Sequence, residues 1–228
     1  KQGARRVVHV PNGCDIKHMI PYTKQFALKI LSRSGIVPYK NRLLKRFIII
    51  HVGYCHISAF KSLIEAFAQF NREVRESLLI LVGSLSYKHR KLVKDRVKKG
   101  INVLYIGPVR RKILNLFLCA SDVAVLSMRR SIEEYARWPM RFGDYIACGR
   151  PVIMPLGCDP SRLLIKYKCG FTFKAEDVTE LRGTFFDTYE LWKSGFLDIY
   201  SKRARKLAEI LSWNNIARKL LLSLMNQF

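Results

Sequence analysis

Arg137-Trp138-Pro139-Met140-Arg141-Phe142-Gly143-Asp144-Tyr145-Ile146-Ala147-Cys148-Gly149-Arg150-Pro151-Val152-Ile153-Met154 reads as a short helix running into a buried strand. Pro139 sits where a first helical turn tolerates a missing N–H. Gly149 stands where the chain must leave the helix, a common left-handed stop, and Pro151 blocks continuation. Val152-Ile153-Met154 is an apolar run of the kind found in covered parallel strands. Arg141 and Asp144 are three residues apart and so share one helix face. A helix start that presents an arginine suits a pyrophosphate, because free N–H groups, dipole and guanidinium all favour the anion. An acid one turn further in is placed to accept hydrogen bonds from ribose hydroxyls. An exposed ion pair beside a helix cap would have the same sequence, and such pairs are common and weak.

Towards the N-terminus the chain alternates strand and helix. Phe47–Val52 reads as a buried strand and Ile57–Phe70 as an amphipathic helix with Phe60, Leu63, Ile64 and Phe67 on one face. Leu78–Val82 is the next strand, and Tyr87–Lys99 a helix, basic outside, with Leu92, Val93 and Val97 for its inner side. Asn102–Ile106, Arg110–Cys119 and Val123–Leu126 continue as strand, helix and strand. This spacing predicts an α/β fold with a Rossmann-like, doubly wound parallel sheet. Before it lie a basic leader, a short strand Val7–Val10, the turn Pro11-Asn12-Gly13 and a helix across Thr23–Leu31. After it come an edge strand Phe171–Phe173 and C-terminal helices across Asp177–Trp192, Phe196–Leu211 and Trp213–Met225. Residues 1–46 are therefore assigned to a linker and helical lead-in, and 47–200 to the nucleotide-binding domain. Residues 201–228 form a C-terminal helix that packs back on this domain or on a further, N-terminal one.

The 228 residues suffice for a full core. Six scattered cysteines without a C-x-x-C pair point to thiols in a reducing compartment and away from a zinc site. Lys and Arg number 41 against 17 Asp and Glu, a net charge of +24. Such a surface attracts nucleotide phosphates, nucleic acid and anionic membranes alike. No apolar run is long enough to span a bilayer. The sequence opens on Lys1 rather than Met, as a piece of a longer protein would.

Pro139, Arg141, Asp144, Tyr145, Ala147, Gly149, Pro151 and Val152 together resemble the donor-site motif of nucleotide-sugar glycosyltransferases of the GT-B type, in particular the retaining family four. Pro11-Asn12-Gly13 and Ser212-Trp213 are similar to segments that open and close the C-terminal, donor-binding half of those enzymes. The resemblance covers nearly all of the chain but only that half. It implies a sugar transferred from a nucleoside-diphosphate (UDP-type) sugar to an unknown acceptor. It also implies no metal or other cofactor, cationic side chains and helix dipoles serving at the leaving diphosphate. Arg141 is then the residue that neutralises the diphosphate; Lys61, one helical turn beyond Ser58, is a second candidate from its spacing, and a solvated lysine would have the same sequence. Gly53, Gly107, Val109, Arg141, Asp144, Gly157 and Ser161 line the donor site, and the Gly157 loop ends at a helix start suited to phosphate. Two departures stand out. Tyr54 and Ser58 occupy positions where the family places an Arg and a Lys, and Ala136 stands where the first of two spaced acids is usual. Glu133 and Glu134 nearby read as a solvated cluster balancing Arg129 and Arg130.

Two other function classes remain beside the enzyme, which is expected to be cytoplasmic or membrane-peripheral and to work with a partner domain or oligomer. One is a degenerate nucleotide-sugar-binding module, favoured by Tyr54 and Ser58. The other is a basic nucleic-acid or anionic-membrane binder, motivated by Lys88, Arg90, Lys91, Lys94, Arg96, Lys98 and Lys99. No recognised reading motif accompanies that stripe, which ranks specific nucleic-acid binding below the membrane surface.

Overall fold

The computed structural model describes residues 9–37 and 40–225. Six parallel strands form one sheet: β1 (Phe47–Val52), β2 (Ser77–Val82), β3 (Val103–Gly107), β4 (Val123–Val125), β5 (Val152–Pro155) and β6 (Gly170–Phe173). Their order is β3-β2-β1-β4-β5-β6. The direction of winding reverses between β1 and β4, and the crevice beyond the carboxyl ends of those strands is where such sheets take ligands. This is the doubly wound α/β fold that the alternation predicted.

Every residue of β1 is buried. Ile48, Ile50 and Val52 pack on one face of the sheet, Phe47 and Ile49 on the other. The first face is covered by α1 (Lys24–Arg33), α5 (Arg111–Ala120), α7 (Met140–Ala147), α8 (Asp159–Tyr167) and α10 (Leu197–Ile210), which supply Leu28, Phe117, Phe142, Leu164 and Leu207. The second is covered by α3 (Ile57–Glu73), α4 (Tyr87–Lys98) and α9 (Val178–Lys193), with Phe60, Phe67 and Phe185 at its centre. Thr23 and Asp177 cap α1 and α9 by accepting from the N–H groups of Phe26 and Glu180. β6 pairs only with β5 and is the edge strand expected there.

Several expectations are corrected. Two short helices, α2 (Lys40–Leu44) and α6 (Ile132–Ala136), add to those expected. On α4, Val97 is exposed, and His89 takes the inner position against the Phe60 ring. Of the N-terminal strand, Val7 and Val8 lie outside the described residues, and His9 and Val10 are not in a strand. The C-terminal helix α11 (Trp213–Met225) buries Ile216 and leaves Leu220, Leu221, Leu222, Leu224 and Met225 exposed.

Candidate functional site

Three strands run into glycine at the carboxyl edge of the sheet: Gly53 follows β1, Gly83 follows β2, and Gly107 ends β3. Gly53 and Gly83 have φ of 92° and 117°, which a side chain rarely adopts. The Gly53 N–H donates to the Val82 carbonyl at 2.8 Å, and the Gly83 N–H to the Gly107 carbonyl at 2.7 Å. A Cβ on Gly83 would stand 3.1 Å from the Gly53 Cα, so bare backbone is packed against bare backbone. Before this turn, the His51 ring is buried with Nδ1 3.1 Å from the Val125 carbonyl oxygen, and burial pushes its pKa down to about 4. Beyond it Tyr54 is exposed, and His56 caps α3 by accepting from the Ser58 N–H and engaging the Ser58 hydroxyl at 2.7 Å. Lys61 is exposed on α3, away from the cavity described next.

Pro139 takes the N-cap position of α7, which carries Arg141 in its first turn and Asp144 one turn further in. Arg141 Nη1 donates to Asp144 Oδ2 at 2.9 Å. The Asp144 side chain is only 9% exposed and that of Arg141 43%, so this is not the solvated pair that the same sequence allows. Arg141 lies over the Gly53 turn: its Nε would be 3.8 Å from a Cβ on that glycine. The other carboxylate oxygen, Oδ1, accepts from Arg111 Nη2 at 3.1 Å, and the same Nη2 donates to Asp15 Oδ2 at 2.9 Å. Asp15, Arg111, Asp144 and Arg141 thus form one chain of alternating charge. Sequence reasoning missed Arg111 and Asp15. The signal for Arg111 was there: Arg110-Arg111-Lys112 opens α5 with three cations and no acid, against the helix dipole.

A cavity of about 300 Å³ lies among these residues, bounded also by Gly13 and Trp213. Arg111, Met140 and Trp213, the first residues of α5, α7 and α11, all line it, so three positive dipole ends converge there. Neither α5 nor α7 has a side-chain cap. The N-terminal turn forms the wall: Cys14 N–H donates to the Leu211 carbonyl at 2.7 Å, and Trp213 N–H to the Cys14 carbonyl at 3.3 Å. A Cβ on Gly13 would overlap the Trp213 ring, and one on Gly143 would sit 3.4 Å from the Gly13 carbonyl oxygen. Tyr145, fully buried, accepts the Val52 N–H on its phenol oxygen at 2.9 Å and so ties α7 to the end of β1. Burial raises the pKa of that phenol.

The remaining predicted residues lie around this centre or apart from it. Val109 is half-buried against the core after the Gly107 turn. Gly157 has φ 117°, and its N–H donates to the Ser161 hydroxyl at 3.1 Å. Ser161 is fully buried and in turn donates to the Cys158 carbonyl at 2.6 Å, so it shapes the loop. The residue before α8 is Cys158, which supplies no side-chain cap; Asp159 is the helix's first residue. Glu133 pairs with Arg129 at 3.6 Å and Glu134 with Arg137. Larger hollows lie elsewhere, of about 420 Å³ at the amino ends of β2 and β3 and about 490 Å³ beside α10, away from these residues. Among the described residues no group of three or more His, Cys, Asp or Glu could hold a metal ion.

The sequence profile described as "Glycosyl transferases group 1" matches residues 46–185, which span all six strands. The chain belongs to this family. A search of curated proteins found no match. Among solved structures, Alr3699/HepE from Anabaena, in complex with UDP and glucose, superposes with a TM-score of 0.72 at 17% identity over 95% of this chain. WaaG, a glycosyltransferase of lipopolysaccharide biosynthesis, gives 0.68 at 18% identity over 92%. The C-terminal domain of the family member LpcC from Francisella tularensis gives 0.65 at 13% identity, covering 86% of this chain and 97% of that domain. This chain spans about half of HepE and WaaG, 56% and 54% of their lengths. At these identities the likeness establishes a shared fold.

Proposed function

We propose that the chain is the donor-binding domain of a retaining glycosyltransferase of the GT-B type, taking a sugar from a nucleoside-diphosphate sugar to an acceptor held by a further domain or subunit. The observation that carries this reading is the Arg141–Asp144 pair: it lies near the start of α7 and lines a cavity where three helices begin, with Arg141 standing over the Gly53 turn. In the reaction the bond between the anomeric carbon and the diphosphate oxygen breaks with its electron pair going to that oxygen, the acceptor hydroxyl oxygen bonds to the carbon on the same face, and the hydroxyl proton passes to the departing diphosphate. Negative charge grows on the departing diphosphate. Arg141 and the α7 dipole meet it, while Asp144 accepts from the ribose hydroxyls. Gly53, Gly107 and Gly157 bring backbone close to the nucleotide, with Val109 beside the base and Ser161 holding the Gly157 loop. Lys61 would have to swing in from the surface of α3 to reach the phosphates, so Arg141 carries that role first. The domain division 1–46, 47–200 and 201–228 belongs to this reading, with the exposed leucines of α11 facing the remainder of the enzyme.

Calorimetric titration of the chain with UDP, GDP and their sugars tests it. Wild type is expected to bind one of the two series. Arg141→Ala and Asp144→Ala are expected to weaken that binding about tenfold or more, roughly 1.4 kcal/mol, without unfolding. Unfolding of both variants would return the pair to a structural role. Binding without transfer to any acceptor, in any combination with the other half, would favour a non-catalytic binding module, the reading that Tyr54 and Ser58 support.

A further inference from the structure

We propose that Arg111 is a second donor-contacting cation, gripping the diphosphate from the side opposite Arg141. The inference rests on the donor-site reading above and names a residue for it that the motif does not contain. A diphosphate carries more than one negative charge, and a single guanidinium does not balance it. The turn after β1 and the start of α3 contribute Tyr54 and Ser58, neither a cation, and Lys61 does not line the cavity. Arg111 does line it.

The geometry leaves Arg111 free to act. A single nitrogen, Nη2, reaches both Asp15 at 2.9 Å and Asp144 at 3.1 Å. These two bonds use neither Nε nor Nη1, and the side chain is 46% exposed. Arg111 and Arg141 sit on opposite oxygens of one carboxylate, so the two cations stand one carboxylate apart. That separation suits the adjoining phosphate groups of a single diphosphate, each met by a planar fork of N–H donors. Arg111 is also the first residue of α5, so the dipole adds to its field. Three cations at the positive end of a helix repel that dipole, a conflict that the two carboxylates on Arg111 relieve in the structure and that a phosphate would relieve in the place of one of them. Asp15 and Asp144 balance the two guanidiniums in the structure. Asp15, on the N-terminal turn and 24% exposed, is the partner that a phosphate would displace.

Affinity for UDP and GDP, measured by calorimetry on Arg111→Ala, Arg111→Lys and Asp15→Asn beside wild type, decides the matter. Arg111→Ala is expected to lose about fivefold or more, and Arg111→Lys to recover part, since an ammonium keeps the charge but not the fork. Asp15→Asn releases Arg111 and is expected to bind as tightly as wild type or more so. A loss under about fivefold in Arg111→Ala overturns the proposal, as does an equal loss in Asp15→Asn, which would mean that Arg111 merely ties the N-terminal turn to α7. Should Arg111→Ala not fold, Arg111→Gln takes its place under the same threshold. If wild type binds neither diphosphate the underlying reading fails with it, whereas unchanged binding in the Arg111 variants beside loss in Arg141→Ala removes Arg111 alone.

Discussion

At the scale of single residues, His51 shows how a polar group inside β1 writes a pH dependence into the fold. Its ring is fully buried and its pKa falls from 6.5 to about 4, because burial penalises the imidazolium. Below about pH 6.5 the unfolded chain takes up this proton and the folded chain does not, so stability falls with pH until about pH 4 and then levels off. The full loss is about 3 kcal/mol. Urea midpoints measured between pH 7 and 4 should show this slope in wild type and lack it in His51→Gln. An unchanged slope in the variant would assign the effect to other groups. Sequence placed His51 in the sheet, and the ordinary apolar surroundings of β1 explain why it stays neutral. Arg111 illustrates the converse. Nothing in its neighbourhood along the chain joins it to Asp144, 33 positions away, because the link runs across two helix starts that only the winding of the sheet brings together.

At the scale of elements, Asp122 fastens three of them. Its Oδ2 accepts from Lys24 Nζ at 2.6 Å and from the Ile48 N–H at 2.7 Å, while its own N–H donates to the Ile48 carbonyl at 2.8 Å. It thereby closes the β1–β4 junction and docks α1. Burial raises the Asp122 carboxyl and lowers the Lys24 ammonium, so each charge persists through the other. Asp122→Ala should cost about 3–5 kcal/mol by stranding Lys24, whereas Lys24→Met with Asp122→Leu should recover much of that. Chemical denaturation of the two variants checks it, and equal losses in both would refute the coupling. Strands and long helices were legible because their apolar periodicity is local. The α4 face was misjudged because Val97 and His89 compete for the inner side. His89 wins by bonding Cys55 O at 3.1 Å and meeting the Phe60 ring, contacts that hydrophobicity does not register.

At the scale of the whole molecule, part of the excess positive charge is gathered along one helix. Lys88, Arg90, Lys91, Lys94 and Lys98 are exposed along α4, beside Tyr87 at 73% exposure. No helix among the described residues is long and apolar enough to cross a membrane. We propose this face as the one that meets an anionic bilayer, each Lys or Arg contributing about 1 kcal/mol near such a surface. Co-sedimentation should show binding to phosphatidylserine vesicles, loss of it at high salt, and a drop of about tenfold or more when Lys88, Lys91 and Lys94 become Glu. Tighter, steeply salt-dependent binding to duplex DNA would reassign the face to nucleic acid.

Read alone, the sequence determined the class of fold, the position of the central helix and the pairing of Arg141 with Asp144. Each depends on spacings of a few residues and on local hydrogen-bond chemistry, which order in the chain preserves. Only the tertiary structure decided what surrounds that pair. The turn at residues 13–15, Arg111 and Trp213 lie far apart in the chain. Arg111 comes beside α7 because a parallel sheet starts the helices that follow its strands at one edge, and the bonds of Cys14 to Leu211 and Trp213 bring in the N-terminal turn and α11. The choice of His89 over Val97 was settled in the same way, by Cys55 and Phe60, partners distant in sequence from α4.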